Sequence, residues 1–76
     1  MSLILYSRTD CSLCSKAEHL LAEGGFRSTV KKVMIDDDLE LLERYGDQIP
    51  VLMNEETGEK LSWPFTASQV RDLLDV

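Results

Sequence analysis

The sequence predicts an α/β fold, a mixed four-stranded sheet flanked by three helices in the order β-α-β-α-β-β-α. Three observations predict it. An apolar run without breakers at residues 2–6 passes into apolar residues at helical spacing and then into a run rich in Val, Ile and Thr. That is the pattern of a βαβ unit, which implies a right-handed crossover and parallel pairing. Further on, NEETG supplies turn residues between Val51-Leu52-Met53 and Lys60 to Trp63, the signal of an antiparallel hairpin. Last, Thr66 with Gln69 three residues later is a capping box that opens a closing helix.

Each element has its own local reason. Ser2 to Tyr6 reads as a buried strand. Leu13, Ala17, Leu20 and Leu21 fall at i, i+4, i+7 and i+8 on one helical face, and Gly24-Gly25 supplies the stop. Phe26 to Ile35 reads as the second strand, with alternation broken at Lys31-Lys32. Asp37 or Asp38 is the expected cap of a second helix that uses Leu39, Leu42 and Tyr45 and ends at Gly46. Pro50 has no N–H to give a ladder, so it belongs at the start of the strand that follows. Val70, Leu73 and Leu74 form the inward face of the last helix.

Seventy-six residues make one domain, expected over 1–76, that buries somewhat more than roughly 60% of its unfolded surface. A net charge of −6 argues against nucleic acid, which needs a basic face. The acidic cluster DDDLELLE at Asp36 to Glu43 is not an EF-hand loop, because Leu41 stands where that turn requires Gly. It reads instead as carboxylates complementing a helix N-terminus. The apolar run at Leu3 to Tyr6 is too short for a membrane span or a signal-peptide core, so no membrane partner and a cytoplasmic location are expected.

The two cysteines, Cys11 and Cys14, stand in LYSRTDCSLCSKAEHLL, where the strand turns into the first helix. Cytosolic thiols are kept reduced, so this spacing points to catalysis or metal binding rather than a structural staple. A structural zinc site needs four ligands, and Cys11, Cys14 and the single histidine, His19, supply three. No metal site is therefore assigned within one chain; a cluster bridging two chains stays open, and His19 reads as a surface residue. A thiol at a helix N-terminus has its reactive thiolate favoured. Cys11 holds that position, and Cys14, one turn on, lies nearer the body of the protein. Arg8 is a cation beside the pair and Asp10 an opposing charge.

LYSRTDCSLCSKAEHLL, the βαβ pattern, QIPVL at Gln48 to Leu52 and the final hairpin and helix together resemble glutaredoxins, across essentially the whole chain. YGDQIPVL and WPFTASQVRDLL resemble more closely a family of small, mostly bacterial glutaredoxin-like proteins. The resemblance implies a thioredoxin-like fold of the glutaredoxin type. It implies that Cys11 is the nucleophile, Cys14 the second cysteine and Pro50 the family's cis-proline. Ile49 then matches the residue whose backbone pairs with glutathione or peptide, and Arg8 the lysine that meets a glutathione carboxylate. Two departures stand out. Ser12-Leu13 replaces the usual Pro-Tyr between the cysteines, giving a less pre-organised turn and an apolar surface beside the thiols. Trp63-Pro64-Phe65-Thr66 stands where glutaredoxins carry Gly-Gly and an acidic residue for glutathione's amino end. Trp63 and Phe65 read first as core or strand-edge packing, and second as side chains that narrow the glutathione groove.

The expected function is thiol–disulfide exchange by a glutaredoxin-like enzyme through Cys11 and Cys14, with Arg8, Ser12, Leu13, Ile49 and Pro50 around the substrate. No bound cofactor is required. Glutathione is a co-substrate on the resemblance, including by a monothiol route that leaves Cys14 idle, and the partner is a disulfide-containing protein or glutathione. A monomer is expected. The rival readings are a binding module that presents Trp63 and Phe65 with little turnover, and an iron–sulfur or metal carrier using the cysteine of two chains.

Overall fold

The structure, a computed structural model, describes residues 2–74. Met1, Asp75 and Val76, at the ends of the expected 1–76 domain, lie outside the described residues. The element order is the predicted one: β1 (Leu3–Ser7), α1 (Ser12–Glu23), β2 (Val30–Met34), α2 (Leu39–Tyr45), β3 (Val51–Asn54), β4 (Lys60–Ser62) and α3 (Ala67–Leu74). The sheet runs β2-β1-β3-β4. β1 pairs in parallel with β2, from Leu3 opposite Val30 to Ser7 opposite Met34. It pairs antiparallel with β3, and β3 antiparallel with β4. β1, buried between β2 and β3, is the strand whose sequence is an unbroken apolar run.

Successive residues of a strand point to opposite faces, and each face has its own core. Leu3 and Leu5 of β1 and Leu52 of β3 pack with Ala17 and Leu21 of α1, with Phe65, and with Val70 and Leu73 of α3. On the other face Tyr6 and Val51 meet Ile35 and Tyr45. The Tyr6 and Tyr45 rings stack with centroids 4.7 Å apart. Helices α1 and α3 therefore cover one face and α2 the other. Burial and the neighbouring Tyr45 hold the Tyr6 phenol above its ordinary value, so it stays neutral against the sheet.

The helix ends follow local rules. At the end of α1, Gly25 takes a left-handed φ of 81°. The Gly25 N–H donates to the Ala22 carbonyl and the Phe26 N–H to the Leu21 carbonyl, a Schellman motif. Phe26 then folds back against the helix as the apolar contact of that motif and enters the core. This corrects the expected strand over Phe26 to Ile35. Phe26 belongs to the helix cap, Arg27–Thr29 form a single 3₁₀ turn, and pairing begins at Val30. Lys31 and Lys32 break the alternation because β2 is an edge strand, where both side chains reach solvent.

Asp38, rather than Asp37, caps α2 by accepting the Leu41 N–H at 3.1 Å. Leu39 was expected on the inward face, but it is 79% exposed. Leu41, Leu42 and Tyr45 carry that packing instead. The capping box of α3 is complete: the Thr66 N–H donates to Gln69 Oε1 at 2.8 Å, and the Gln69 N–H to Thr66 Oγ1 at 3.2 Å. Buried Asn54 ties the end of this helix to the hairpin, donating to the Leu73 carbonyl and accepting the Glu56 N–H, both at 2.8 Å.

Candidate functional site

The site is built where β1 hands the chain to α1. Arg8, Thr9 and Asp10 form the connection, and Asp10 adopts a left-handed φ of 57°, a conformation that Asp tolerates better than most residues. The turn leaves Cys11 extended, as the N-cap of α1. Its Sγ accepts the Cys14 N–H at 3.1 Å, so a sulfur takes the place that a Ser, Asp or Asn oxygen usually fills. α1 has no acidic residue in its first turn to compete for the exposed N–H groups.

Cys11 and Cys14 are joined in a disulfide with Cα atoms 5.2 Å apart, within the ordinary range for such a bridge. One helical turn provides this spacing and also gives the two sulfurs different exposure. Cys11 is partly open to solvent, whereas Cys14 is 3% exposed, on the face that carries Ala17 and Leu21 into the core. Thus one sulfur is accessible to an incoming reactant and the other is shielded. Among the described residues no group of three or more His, Cys, Asp or Glu side chains gathers to hold a metal ion. His19 is exposed on α1, away from the cysteine end.

Two clefts flank the disulfide. One, of about 450 Å³, is lined by Arg8, Cys11, Ser12, Leu13, Gly46 and Ile49. It unites five of the expected site residues, and Leu13, 41% exposed, gives it an apolar wall. Pro50 does not line it. The Ile49–Pro50 peptide bond is cis, and Pro50 is buried behind Ile49, its carbonyl accepting the Trp63 N–H at 3.1 Å. The Ile49 N–H donates to the Tyr45 carbonyl at 3.1 Å. A substrate strand that uses this N–H must take the place of that carbonyl. The second cleft, of about 540 Å³, is lined by Ser7, Cys11, Cys14, Glu18, Lys32 and Met34 among others. Lys32 is ion-paired with Glu18 at 3.2 Å.

Asp36 is a site residue that the sequence reading placed elsewhere. Within the acidic cluster it was expected to complement a helix N-terminus. Instead it accepts both the N–H and the hydroxyl of Thr9, each at 3.0 Å, and lies 3.7 Å from Arg8 Nε. It therefore ties the connection ahead of Cys11 to the end of β2, and it occupies the cation expected for substrate. The Thr9 N–H is the main reason its carboxyl is held below the ordinary 3.8, ahead of the opposing effect of partial burial and the smaller help of the Thr9 hydroxyl and Arg8. A depressed folded value means that the ionised form contributes stability above the unfolded value. That contribution disappears as pH falls through the folded value. Asp36→Asn should accordingly melt below wild type at neutral pH, with the difference closing as pH drops below about 3.8, the ordinary value. Paired thermal melts across that range test this; a gap that ignores pH would mean that the carboxylate charge is irrelevant.

Trp63 and Phe65 pack edge to face with centroids 5.1 Å apart. Phe65 is 4% exposed within the core, and the half-buried Trp63 packs against the same cluster. The packing reading of this pair is the observed one. The paired aromatic surface of the binding-module reading is not formed, because Phe65 faces inward.

No described helix is long and apolar enough to cross a membrane. The family model of the glutaredoxin-like domain (DUF836) matches residues 2–75. Among solved structures, the X-ray structure of Northeast Structural Genomics target protein XcR50 from X. campestris is 42% identical. That match covers 97% of this chain and 96% of XcR50, with a TM-score of 0.84. The solution structure of the same protein is 43% identical, with 99% and 94% covered and a TM-score of 0.81. No curated protein matches the chain. By sequence over nearly its whole length, by its thioredoxin-like fold and by a redox-type cysteine pair at the start of α1, the chain belongs to the glutaredoxin-like domain family (DUF836).

Proposed function

We propose that the protein is a thiol–disulfide oxidoreductase that works through Cys11 and Cys14. The observation that carries this reading is the N-cap position of Cys11, whose sulfur receives a backbone N–H while bonded to the shielded sulfur of Cys14. In the reduced protein the same N–H and the helix end favour the Cys11 thiolate, the reactive species.

Cys11 thiolate attacks one sulfur of a substrate disulfide, a bond forms between them, and the other substrate sulfur leaves as a thiolate. Cys14, deprotonated, then attacks Cys11 Sγ and expels the second substrate thiolate. The substrate gains two electrons and the cysteine pair loses two. An external thiol such as glutathione returns the pair to its reduced state by the reverse steps. The substrate is a disulfide-containing protein or a glutathione mixed disulfide, placed in the cleft of Leu13 and Ile49. No bound cofactor takes part.

The test is titration in glutathione redox buffers, with acid quench, alkylation and intact-mass readout. An intramolecular disulfide that forms at a defined potential supports the reading. Two thiols that remain alkylatable in every buffer end it.

A further inference from the structure

Ser7 ends β1 fully buried, and its Oγ is a buried polar atom with no hydrogen-bond partner among the described residues. Burying a hydroxyl in this way is unfavourable, so some state of the protein should supply it with a partner. Strand alternation says where to look. Leu3, Leu5 and Ser7 share the face of β1 that α1 covers, and α1 brings Cys14, Ala17 and Leu21 to that face at i, i+3 and i+7. Leu3 and Leu5 pack with Ala17 and Leu21. The same alternation places Ser7 next along β1, towards the end where α1 begins, and Ser7 and Cys14 both line the second cleft.

The charged groups that line this cleft are Arg8 and Asp10 from the connection, Glu18 from α1 and Lys32 from β2. Glu18 and Lys32 are paired with each other, and Arg8 faces Asp36. The hydroxyl of Ser7 is the uncharged donor on the inner side, where Cys14 is buried.

We propose that Ser7 is a positioning residue for the second cysteine, its hydroxyl donating a hydrogen bond to Cys14 Sγ whenever the disulfide is open. In the oxidised pair Ser7 Oγ makes no hydrogen bond to Cys14 Sγ. Opening the disulfide frees that sulfur from Cys11 and, as a thiolate, makes it a stronger acceptor, so the hydroxyl gains its partner on reduction. When an incoming thiolate attacks Cys11 Sγ, the Cys11–Cys14 bond breaks and Cys14 Sγ departs with the bonding pair. Ser7 stabilises that shielded anion until a solvent proton converts it to the thiol. In the opposite direction Cys14 loses its proton to solvent, and the same hydrogen bond holds the thiolate that attacks Cys11. This role rests on the exchange reaction proposed above.

The experiment has two arms. Cys14 is titrated alone, by thiolate ultraviolet absorbance, in a Cys11→Ser background carrying Ser7, Ser7→Ala or Ser7→Thr. The midpoint potential is measured with both cysteines present. Ser7→Ala should raise the Cys14 pKa by about one unit, a tenfold loss of thiolate stabilisation, on the order of one hydrogen bond to a charged sulfur. Measured at a pH above the Cys14 pKa, where the reduced pair carries that thiolate, it should make the midpoint about 30 mV more negative, the tenfold equivalent for a two-electron couple. Ser7→Thr should stay near wild type, and oxidised Ser7→Ala should melt no lower than wild type, since it loses only an unpartnered hydroxyl. An identical Cys14 titration with Ser and Ala at position 7 overturns the role, even if the pair cycles normally. A pair that never closes, together with a shifted Cys14 titration, removes the exchange reaction and leaves the Ser7 hydrogen bond standing.

Discussion

On the proposed exchange reaction, Cys11→Ser should remove disulfide exchange down to the buffer background, whereas Cys14→Ser should stop the reaction one step later. The asymmetry follows from where one turn of helix puts the two sulfurs. Cys11 is solvent-accessible and receives the Cys14 N–H, while Cys14 is almost fully covered by the core face of α1. A serine hydroxyl at position 11 keeps the cap but is not ionised at neutral pH, and exchange requires the thiolate. With Cys14→Ser the first attack still occurs, and the mixed disulfide persists because no second thiol is placed to release it. Incubating each variant with a disulfide such as oxidised glutathione, followed by intact mass, reads the difference directly. The expected adduct is on Cys14→Ser and is absent from Cys11→Ser. An adduct of equal yield on Cys11→Ser would reverse the assignment of nucleophile.

Phe65→Ala should be the most costly of the aromatic truncations near the site, because the ring sits between α3 and the sheet with 4% exposure. Emptying such a position costs about 3–5 kcal/mol. A domain of 76 residues has roughly 4–11 kcal/mol in total, at 0.05–0.15 per residue. The variant should therefore lose a large fraction of its stability. The expected drop in melting temperature exceeds about 12 °C, at about 4–8 °C per kcal/mol for a domain of this size. Trp63→Ala should cost less, since that ring is half open to solvent. Trp63 is the only tryptophan, so its fluorescence follows urea unfolding of Phe65→Ala directly. A change below about 1 kcal/mol, in the range of ordinary surface substitutions, would return Phe65 to the surface and revive a binding role for the pair.

The residues that the sequence made legible share a property: their partners are close in the chain. The capping box of Thr66 and Gln69, the cap of α2 in the Asp37-Asp38 pair and the stop at Gly24-Gly25 each close hydrogen bonds within about one turn. Cys11 and Cys14 belong to the same class, since three residues across a helix start bring two sulfurs together. The βαβ order and the hairpin were legible because apolar period and turn residues are also local signals.

The misplaced residues fail for the opposite reason. Phe26 carries β propensity, yet its neighbours Gly24 and Gly25 close a Schellman motif that claims it for the helix end. Leu39 lies on a helix of seven residues, so its orientation depends on which face the sheet takes, and the sheet took Leu41, Leu42 and Tyr45. Asp36 sits among four acidic residues that look alike in the chain, and its partner Thr9 is 27 positions away. Ser7 had a usable signal, the alternation Leu3, Leu5, Ser7, which places a polar group on the inward face.

The pairing of Cys11 with Cys14, its place at a helix start and the family to which the chain belongs were therefore present in one dimension. What needed three was the side of the sheet for each helix, the hold of Asp36 on the loop before Cys11, and the burial that separates Cys14 from Cys11. Propensity and capping act through neighbouring backbone groups, whereas these features arise from contacts between segments far apart in the chain, which packing alone brings together.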